Sequence, residues 1–150
     1  MANGKHSIAR RAQHFTGINS ADELAYALKR EKHRLQLLAA APKYRTYRIP
    51  KADGSTRLIE DPVKPLKKTL RQLNSYLQAV YHGMRPAAVH GFVISGRHEE
   101  DRNMVSNAMR HISKPYLLNI DLEDFFHTIS ERRVKQLWAR RFKRHNEQVA

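Results

Sequence analysis

An apolar segment near the carboxyl end of the chain carries the residues best suited to metal chemistry. It reads Leu-Leu-Asn-Ile-Asp-Leu-Glu-Asp-Phe-Phe at positions 117–126, so Asp121 and Asp124 are followed at once by two aromatic rings. Mg²⁺ prefers hard oxygen ligands and usually takes one or two carboxylates together with substrate phosphates. Asp121 is therefore a candidate Mg²⁺ ligand in a phosphoryl-transfer site. The alternative is structural, in which Asp121 ends a strand and Asp124 caps the next turn.

A second candidate site is a turn flanked by two cations. Lys51 and Arg57 stand on either side of Asp53-Gly54, a dipeptide typical of hairpin turns. If the loop runs from Asp53 to Ser55, Lys51 lies opposite Arg57, and this unfavourable pairing indicates a bound anion such as a triphosphate. If the loop is Asp53-Gly54 alone, the two side chains point to opposite faces as solvated cations. The sequence leaves both registers open.

A third polar group lies between positions 90 and 111. It contains His90-Gly91-Phe92, Arg97, Asn107 and His111. Asn107 and His111 are four residues apart and therefore share a face of a predicted helix. A metal site made of His90, His98 and His111 is disfavoured, because their spacing matches no zinc pattern. Hydrogen bonding to backbone groups or to phosphates is favoured, since these side chains donate readily.

The elements that must position these groups occur in mixed order, which predicts an α+β fold with four helices and at least three strands. A basic, unpatterned tail covers residues 1–18. A helix then begins at the Ser20 capping box and continues at helical spacing to Ala41-Pro42. Strands at Tyr44–Pro50 and Thr56–Glu60 form a hairpin. Pro65 starts a second helix, whose apolar positions are predicted to be core residues: Leu66, Leu70, Leu73, Leu77 and Val80.

The second half of the chain adds two helices and a strand. A third helix carries Met104, Val105, Ala108 and Ile112, and Pro115 closes it. The segment Tyr116–Leu122 follows and is apolar on both faces, as a central strand would be. Ser130 is predicted to cap a last helix, with Val134, Leu137, Trp138 and Phe142 on its apolar side.

The composition favours a nucleic-acid partner. The 150 residues carry a formal net charge of +14, with a pI near 10.4, and such a charge attracts polyanions. A basic cluster at 132–144 has the alternative interpretation of a solvated helix face. The absence of cysteine excludes disulfides and thiolate metal sites. No apolar run approaches the roughly 20 residues that span a membrane, and no signal-peptide core is present, so a cytoplasmic protein without a membrane partner is expected.

Taken in order, these clusters resemble the amino-terminal half of a prokaryotic reverse transcriptase of the retron and group II intron type, with retrons closest. The resemblance covers residues 20–138, and only the combination of its motifs is specific. The motifs are Tyr47-Arg48-Ile49-Pro50-Lys51 with Asp53-Gly54 and Arg57-Leu58-Ile59; Asp61-Pro62 with Leu66-Lys67; His90-Gly91-Phe92 with Asn107-Ala108 and His111; and Asn119 to Phe126 with Ile129.

The resemblance implies a role for each matched residue. Lys51 and Arg57, in the fingers subdomain, would contact the triphosphate of the incoming nucleotide. Asp121 would bind both catalytic Mg²⁺ ions. Phe126 would be the sugar gate that leaves no room for a ribose 2′-hydroxyl, unless it is an ordinary core residue. Two further sets complete the site: the backbone of Leu122, Asp124 and Phe125 around the metal and nucleotide, and the side chains of Asn107 and His111 on the template side.

The resemblance also implies an organisation and a set of partners. After the tail at 1–18, the fingers and the start of the palm would occupy 19–115, and the first palm strand with its following helix would occupy 116–150. Mg²⁺ would be the cofactor and deoxynucleoside triphosphates the substrates. A structured RNA template and its DNA product would be partners, with either a second polypeptide that completes the palm or a defence effector protein as a further one.

One departure limits these expectations. The family completes its site with a Tyr-x-Asp-Asp turn, and this sequence contains no adjacent Asp-Asp pair. The chain by itself is therefore expected to be inactive, as a fragment or split subunit of an RNA-directed DNA polymerase that a second polypeptide completes. The alternative is a noncatalytic basic module that binds structured RNA.

Overall fold

Six helices and two strands make up the part of the chain that the structure describes. The computed structural model describes residues 4–122 and 125–141. The elements are α1 (Gly4–Thr16), α2 (Ala21–Ala27), α3 (Lys32–Ala40), β1 (Tyr44–Pro50), β2 (Thr56–Pro62), α4 (Lys64–His82), α5 (Met104–Met109) and α6 (Glu131–Arg141). The strands form one antiparallel pair, so the mixed α and β content is as predicted. Two compact units are present: Ser20–Leu77, and the described residues on either side of it.

Residues 4–16, predicted to belong to an unpatterned tail, form helix α1. Ile8, Ala12 and Phe15 recur at helical spacing and provide a narrow apolar stripe. Phe15 is only 3% exposed, and its ring meets the Trp138 ring of α6 edge-on at a centroid distance of 6.0 Å. This apolar stripe is short and is surrounded by basic residues, so the helical periodicity of the sequence is weak here. Burial of Phe15 against a distant segment of the chain stabilises the helix.

The single helix predicted from Ser20 onward is two helices in the structure. Ser20 caps α2 as predicted, since its side chain accepts a hydrogen bond from the backbone N–H of Glu23 at 3.2 Å. The chain leaves the helical path at Lys29, whose φ is 55°. Arg30 then donates from Nε to Thr69 Oγ1 of α4 at 2.9 Å. This long-range hydrogen bond stabilises the break between the two helices. The spacing of apolar residues along the sequence gives no indication of such a contact.

Strands β1 and β2 form the predicted hairpin, but in neither of the two registers inferred from the sequence. Lys51 donates its N–H to the Ser55 carbonyl at 2.8 Å and accepts from the Gly54 N–H at 3.1 Å. The loop is therefore Ala52 to Gly54, one residue earlier than the three-residue loop expected. Gly54 closes it with a φ of 81°, a conformation that glycine adopts without steric cost.

Asp61 fastens the base of the hairpin to α4. Its side chain is 14% exposed, with Oδ1 2.5 Å from Lys67 Nζ and Oδ2 2.7 Å from Arg45 Nη2. Hydrogen bonds from Lys67 and then from Arg45 lower the pKa of Asp61 below its ordinary value of 3.8. Asp61 is therefore ionised at neutral pH and joins the hairpin to the helix.

Helix α4 buries less of its leucine stripe than predicted. Leu66, Thr69 and Ala79 are its buried residues, whereas Leu70 is 38% exposed. The prediction of a core position is therefore wrong for Leu70. Thr69 replaces it on the packed face, because its hydroxyl receives the Arg30 hydrogen bond described above.

Residues 116–122, predicted to be a central strand, have irregular backbone in the structure. Their apolar side chains are exposed, from 63% for Leu122 to 91% for Tyr116. A strand that is apolar on both faces needs neighbouring strands to accept and donate its backbone hydrogen bonds. Within the described residues the two strands present, β1 and β2, pair with each other. The predicted strand is therefore wrong for this structure.

Helix α6 begins where predicted. The Ser130 hydroxyl accepts a hydrogen bond from the Arg133 N–H at 3.4 Å, and the helix starts at the next residue, Glu131. Phe142, predicted for its apolar side, lies outside the described residues. Over 4–122 and 125–141, none of the helices combines the length and apolar character needed to cross a bilayer.

Candidate functional site

The hairpin register brings Lys51 and Arg57 to one face of the hairpin tip. Arg57 pairs with Ile49 across the strands. Lys51 follows Ile49 by two residues, so the alternation of side chains returns it to the same face. The two cations are thus diagonal neighbours, for which Cα atoms are typically about 7–8 Å apart. This spacing leaves room for an anion between them.

The cations at the tip differ from those lower in the hairpin. Arg45 pairs with Asp61, and Arg48 donates to Thr56 Oγ1 at 3.0 Å. Lys51 and Arg57 are exposed, and neither side chain has an ion pair or hydrogen bond with any residue that the structure describes.

The one carboxylate in the loop is engaged locally. Asp53 Oδ1 accepts hydrogen bonds from the hydroxyl of Ser55 at 2.6 Å and from its N–H at 2.9 Å. These bonds, the hydroxyl first, lower the pKa of Asp53 below 3.8. Asp53 therefore stabilises the loop conformation and does not neutralise Lys51 or Arg57.

Asp121 is exposed, at the end of the irregular segment. Its Oδ1 accepts a hydrogen bond from the N–H of Leu122 at 3.0 Å, and its second oxygen has no described partner. Asp124, the other carboxylate predicted here, lies outside the described residues. Across the described ranges no three His, Cys, Asp or Glu side chains stand close enough to hold a metal ion. Asp121 is thus the one carboxylate that the structure describes within 117–126, and its role as a metal ligand stays a prediction.

The two aromatic residues after Asp121 pack on each other. The rings of Phe125 and Phe126 lie 5.4 Å apart at an interplanar angle of 68°. The Phe125 carbonyl accepts hydrogen bonds from the Thr128 hydroxyl at 2.7 Å and from its N–H at 3.2 Å, which fixes a turn. Phe126 is 74% exposed, so its alternative interpretation as a core residue is wrong for this structure. Its gate role stays a prediction.

Asn107 and His111 lie together on the wall of a cavity of about 650 Å³, formed by the end of α4, the following loop and α5. Arg97, the third residue predicted to contact nucleic acid, is exposed on the loop and is not on this wall. The structure therefore brings together two of the three predicted residues. The titratable side chains on the same wall are His82, Arg85, His90, Glu99, Glu100, Arg102, Arg110 and His111.

Glu99 is the centre of an ion-pair cluster in this wall. Its Oε2 lies 2.7 Å from Arg85 Nη2 and 2.8 Å from His82 Nε2, and it accepts the Gly96 N–H at 3.0 Å. The Arg85 side chain is 7% exposed, and Arg85 also donates to the Ile94 carbonyl. The Gly96 N–H, followed by His82, lowers the pKa of Glu99 from 4.5 to about 2.

His90 links the loop to the start of α5. Its Nδ1 lies 2.9 Å from Ser106 Oγ. The same hydroxyl accepts the Asn103 N–H at 2.9 Å and lies 3.1 Å from the Asn103 carbonyl. The contact between His90 and Ser106 therefore positions α5 and, with it, Asn107.

Sequence reasoning missed Asp61, Glu99 and Arg102 as organising residues. Their side-chain ion pairs and the Arg102–Pro86 hydrogen bond join residues 6 to 17 positions apart along the chain, in loops or near element ends. Asp61 was noted only as part of a motif, without a role. No periodicity or short spacing marks such contacts.

Two of the relatives found by comparison with known proteins come from Myxococcus xanthus. The retron Mx162 reverse transcriptase is 35% identical over 135 residues, which cover 85% of this chain and 26% of that protein. The retron Mx65 reverse transcriptase is 30% identical over 112 residues, which cover 75% of this chain and 23% of that protein. No family model matches the chain, and no solved structure matches it.

The chain spans about a quarter of the length of the curated relatives that it matches. Both relatives bear the same description, and both alignments take in at least three quarters of this chain. Sequence similarity therefore identifies this chain as a relative of the retron reverse transcriptases.

Proposed function

We propose that this chain supplies the nucleotide-binding hairpin and one metal-binding aspartate of a retron-type RNA-directed DNA polymerase. The observation that carries the proposal is the shared face of Lys51 and Arg57 at the tip of a firmly based hairpin. Relatives described as reverse transcriptases support the reaction class. The rest of the catalytic site would come from sequence corresponding to the remaining three quarters of those relatives.

Lys51 and Arg57 would bind the triphosphate of the incoming deoxynucleotide. Each is exposed, and each lacks an acidic partner within the described residues, so an anion would relieve the repulsion between them. Guanidinium and ammonium groups form strong charge-assisted hydrogen bonds to phosphate oxygens. The ion pairs of Asp61 at the base of the hairpin would limit movement of the hairpin relative to α4.

Asp121 would bind Mg²⁺ through its carboxylate, with the Leu122 carbonyl as a further ligand. This donor set is suitable but incomplete, because two oxygens are fewer than the six that Mg²⁺ requires, and substrate phosphates and other carboxylates must supply the rest. When bound, the ions would stabilise the attacking and leaving oxygens of nucleotidyl transfer. Asp124 and Phe125 would line the nucleotide beside Asp121, and Phe126 would exclude a ribose 2′-hydroxyl.

The partners follow from this assignment. The template would be a structured RNA, the product its DNA copy, and the substrates deoxynucleoside triphosphates. Arg97, Asn107 and His111 would contact the nucleic acid. The further partner would be either a second polypeptide that completes the palm or a defence effector protein, and the site of action would be the cytoplasm.

Reconstitution tests the proposal. The chain is mixed with the part of the Mx162 reverse transcriptase that it does not match, together with a primed RNA template and labelled deoxynucleotides. Template-directed incorporation is expected, and Asp121→Ala should abolish it, whereas Asp22→Ala, which removes an exposed carboxylate from α2, should not. Incorporation that survives Asp121→Ala would refute the metal role.

The hairpin and the gate have separate tests in the same assay. Lys51→Ala and Arg57→Ala should raise the KM for deoxynucleotides about tenfold each, since each loses a charge-assisted hydrogen bond, with a smaller effect on kcat. Phe126→Ala should admit ribonucleotides. Unchanged discrimination between the two sugars would remove the gate assignment.

A noncatalytic RNA-binding module is the second candidate function. The net charge of +14 favours it, since that charge alone attracts RNA. In that case RNA affinity should fall steeply with salt and be indifferent both to Mg²⁺ and to Asp121→Ala. Incorporation of deoxynucleotides in the reconstituted assay would favour the polymerase function over the RNA-binding module.

A further inference from the structure

The cavity beside α5 has walls that are held in place before any ligand binds. Glu99 ties together Arg85, His82 and the Gly96 backbone on one side. On the other side, the His90–Ser106 hydrogen bond fixes α5. A polar cavity of about 650 Å³ with such walls is of the size and rigidity that small groups occupy in binding sites.

The charges on the cavity wall do not cancel. Arg85 is paired with Glu99, and Arg110 with Glu100 at 2.8 Å. Arg102 is the remaining cation, and it makes no ion pair with a residue in 4–122 or 125–141. The three arginines and two glutamates of the wall therefore leave one net positive charge, which favours an anionic ligand.

Arg102 has a fixed orientation and an unused edge. Both hydrogens of its Nη1 are committed, one to the Pro86 carbonyl at 2.8 Å and one to the Val89 carbonyl at 3.0 Å. A guanidinium has five N–H donors. The three on Nε and Nη2 have no partner among the described residues, and this edge is the one that binds phosphate through two parallel hydrogen bonds.

Asn107 and His111 add neutral donors to the same wall. They are four residues apart and both line the cavity, and neither side chain has a hydrogen bond with a described residue. We propose that this cavity binds one backbone phosphate of a nucleic acid, with the Nε–Nη2 edge of Arg102 as the principal contact and Asn107 and His111 as supporting donors. The inference rests on the proposed function only in taking a nucleic acid as the ligand.

Binding to an RNA hairpin, followed by fluorescence anisotropy over a range of salt concentrations, tests the site. Arg102→Gln should weaken binding about tenfold and reduce the magnitude of the salt slope by about one. Arg110→Gln is the matched control, because it removes one charge from the same wall while leaving the Arg102 edge intact, and should change affinity less than threefold.

A second measurement uses the unaltered chain and does not depend on a variant that folds. The Nε–H resonance of Arg102 should shift when the RNA hairpin is added. An equal shift with inorganic phosphate would assign the site to free phosphate and overturn the proposal for a nucleic-acid backbone. No shift with RNA, or equal losses from Arg102→Gln and Arg110→Gln, would also overturn it. None of these outcomes affects the Asp121-dependent incorporation assay, so the two proposals can fail separately.

Discussion

Replacing Glu99 by Gln is the perturbation with the most direct structural consequence. The change removes the negative charge that faces Arg85, whose side chain is 7% exposed. A cation so deeply buried loses its counter-ion and cannot recover full hydration. Removing one partner of a buried ion pair generally costs about 3–5 kcal/mol.

The stability that Glu99 contributes can also be estimated from its pKa. A drop in the pKa from 4.5 to about 2 corresponds to at most about 3–4 kcal/mol of stability at neutral pH. The Glu99 side chain is 25% exposed, so solvent screening lowers this figure, and we expect a loss of about 2 kcal/mol from the free energy of unfolding. The contribution is complete above pH 4.5 and disappears as the pH falls towards 2, because the folded-state pKa is depressed.

Urea denaturation followed by the fluorescence of Trp138, the single tryptophan, measures this loss. Glu100→Gln is the control. Glu100 pairs with Arg110 at 2.8 Å, close to the 2.7 Å between Glu99 and Arg85, but the Glu100 and Arg110 side chains are both about 60% exposed, and such pairs contribute about 0–1 kcal/mol. The difference in the free energy of unfolding between the two variants should become smaller as the pH is lowered from 7 to 3. Equal stability of the two variants at pH 7, or a gap independent of pH, would refute the reasoning.

Three further changes should follow the same physical logic. Phe15→Ala should lower the free energy of unfolding by about 3 kcal/mol, because it removes the ring that packs against α6. Phe92→Ala removes an exposed ring and should change the free energy of unfolding by less than about 0.5 kcal/mol. Urea denaturation of both variants measures the difference. Gly54→Ala should cost about 1 kcal/mol, since its φ of 81° strains any side chain although space is open, and Gly91→Ala serves as the unstrained control. Asp61→Asn should free the hairpin base and increase proteolytic cleavage near residues 43–63; unchanged cleavage would contradict the anchoring role.

Several elements could be predicted from the sequence because their causes are local. The helix caps at Ser20 and Ser130 and the start of α4 beside Pro65 were predicted correctly. Each depends on a side chain and the backbone within three residues of it. The hairpin was also predicted, because a turn dipeptide between two strand-forming segments is a short-range signal.

Tertiary contacts decided the elements that were predicted wrongly. The break between α2 and α3 depends on the hydrogen bond from Arg30 to Thr69, 39 residues away. Helix α1 depends on burial of Phe15 beside Trp138. Residues 116–122 have the composition of a strand, but a strand forms only when a neighbour provides its hydrogen bonds, and the described residues contain no such neighbour.

For the candidate site, too, the sequence determined some features and the tertiary structure decided others. The sequence by itself determined which residues have the right chemistry, namely the cations Lys51 and Arg57, the carboxylate Asp121 and the polar pair Asn107 and His111, because residue type and motif order are properties of the chain. Only the tertiary structure decided that the hairpin register puts both cations on one face, and that Asn107 and His111 share a cavity with Arg102. Register and cavity walls depend on hydrogen bonds between distant residues, and a linear pattern carries no record of those bonds.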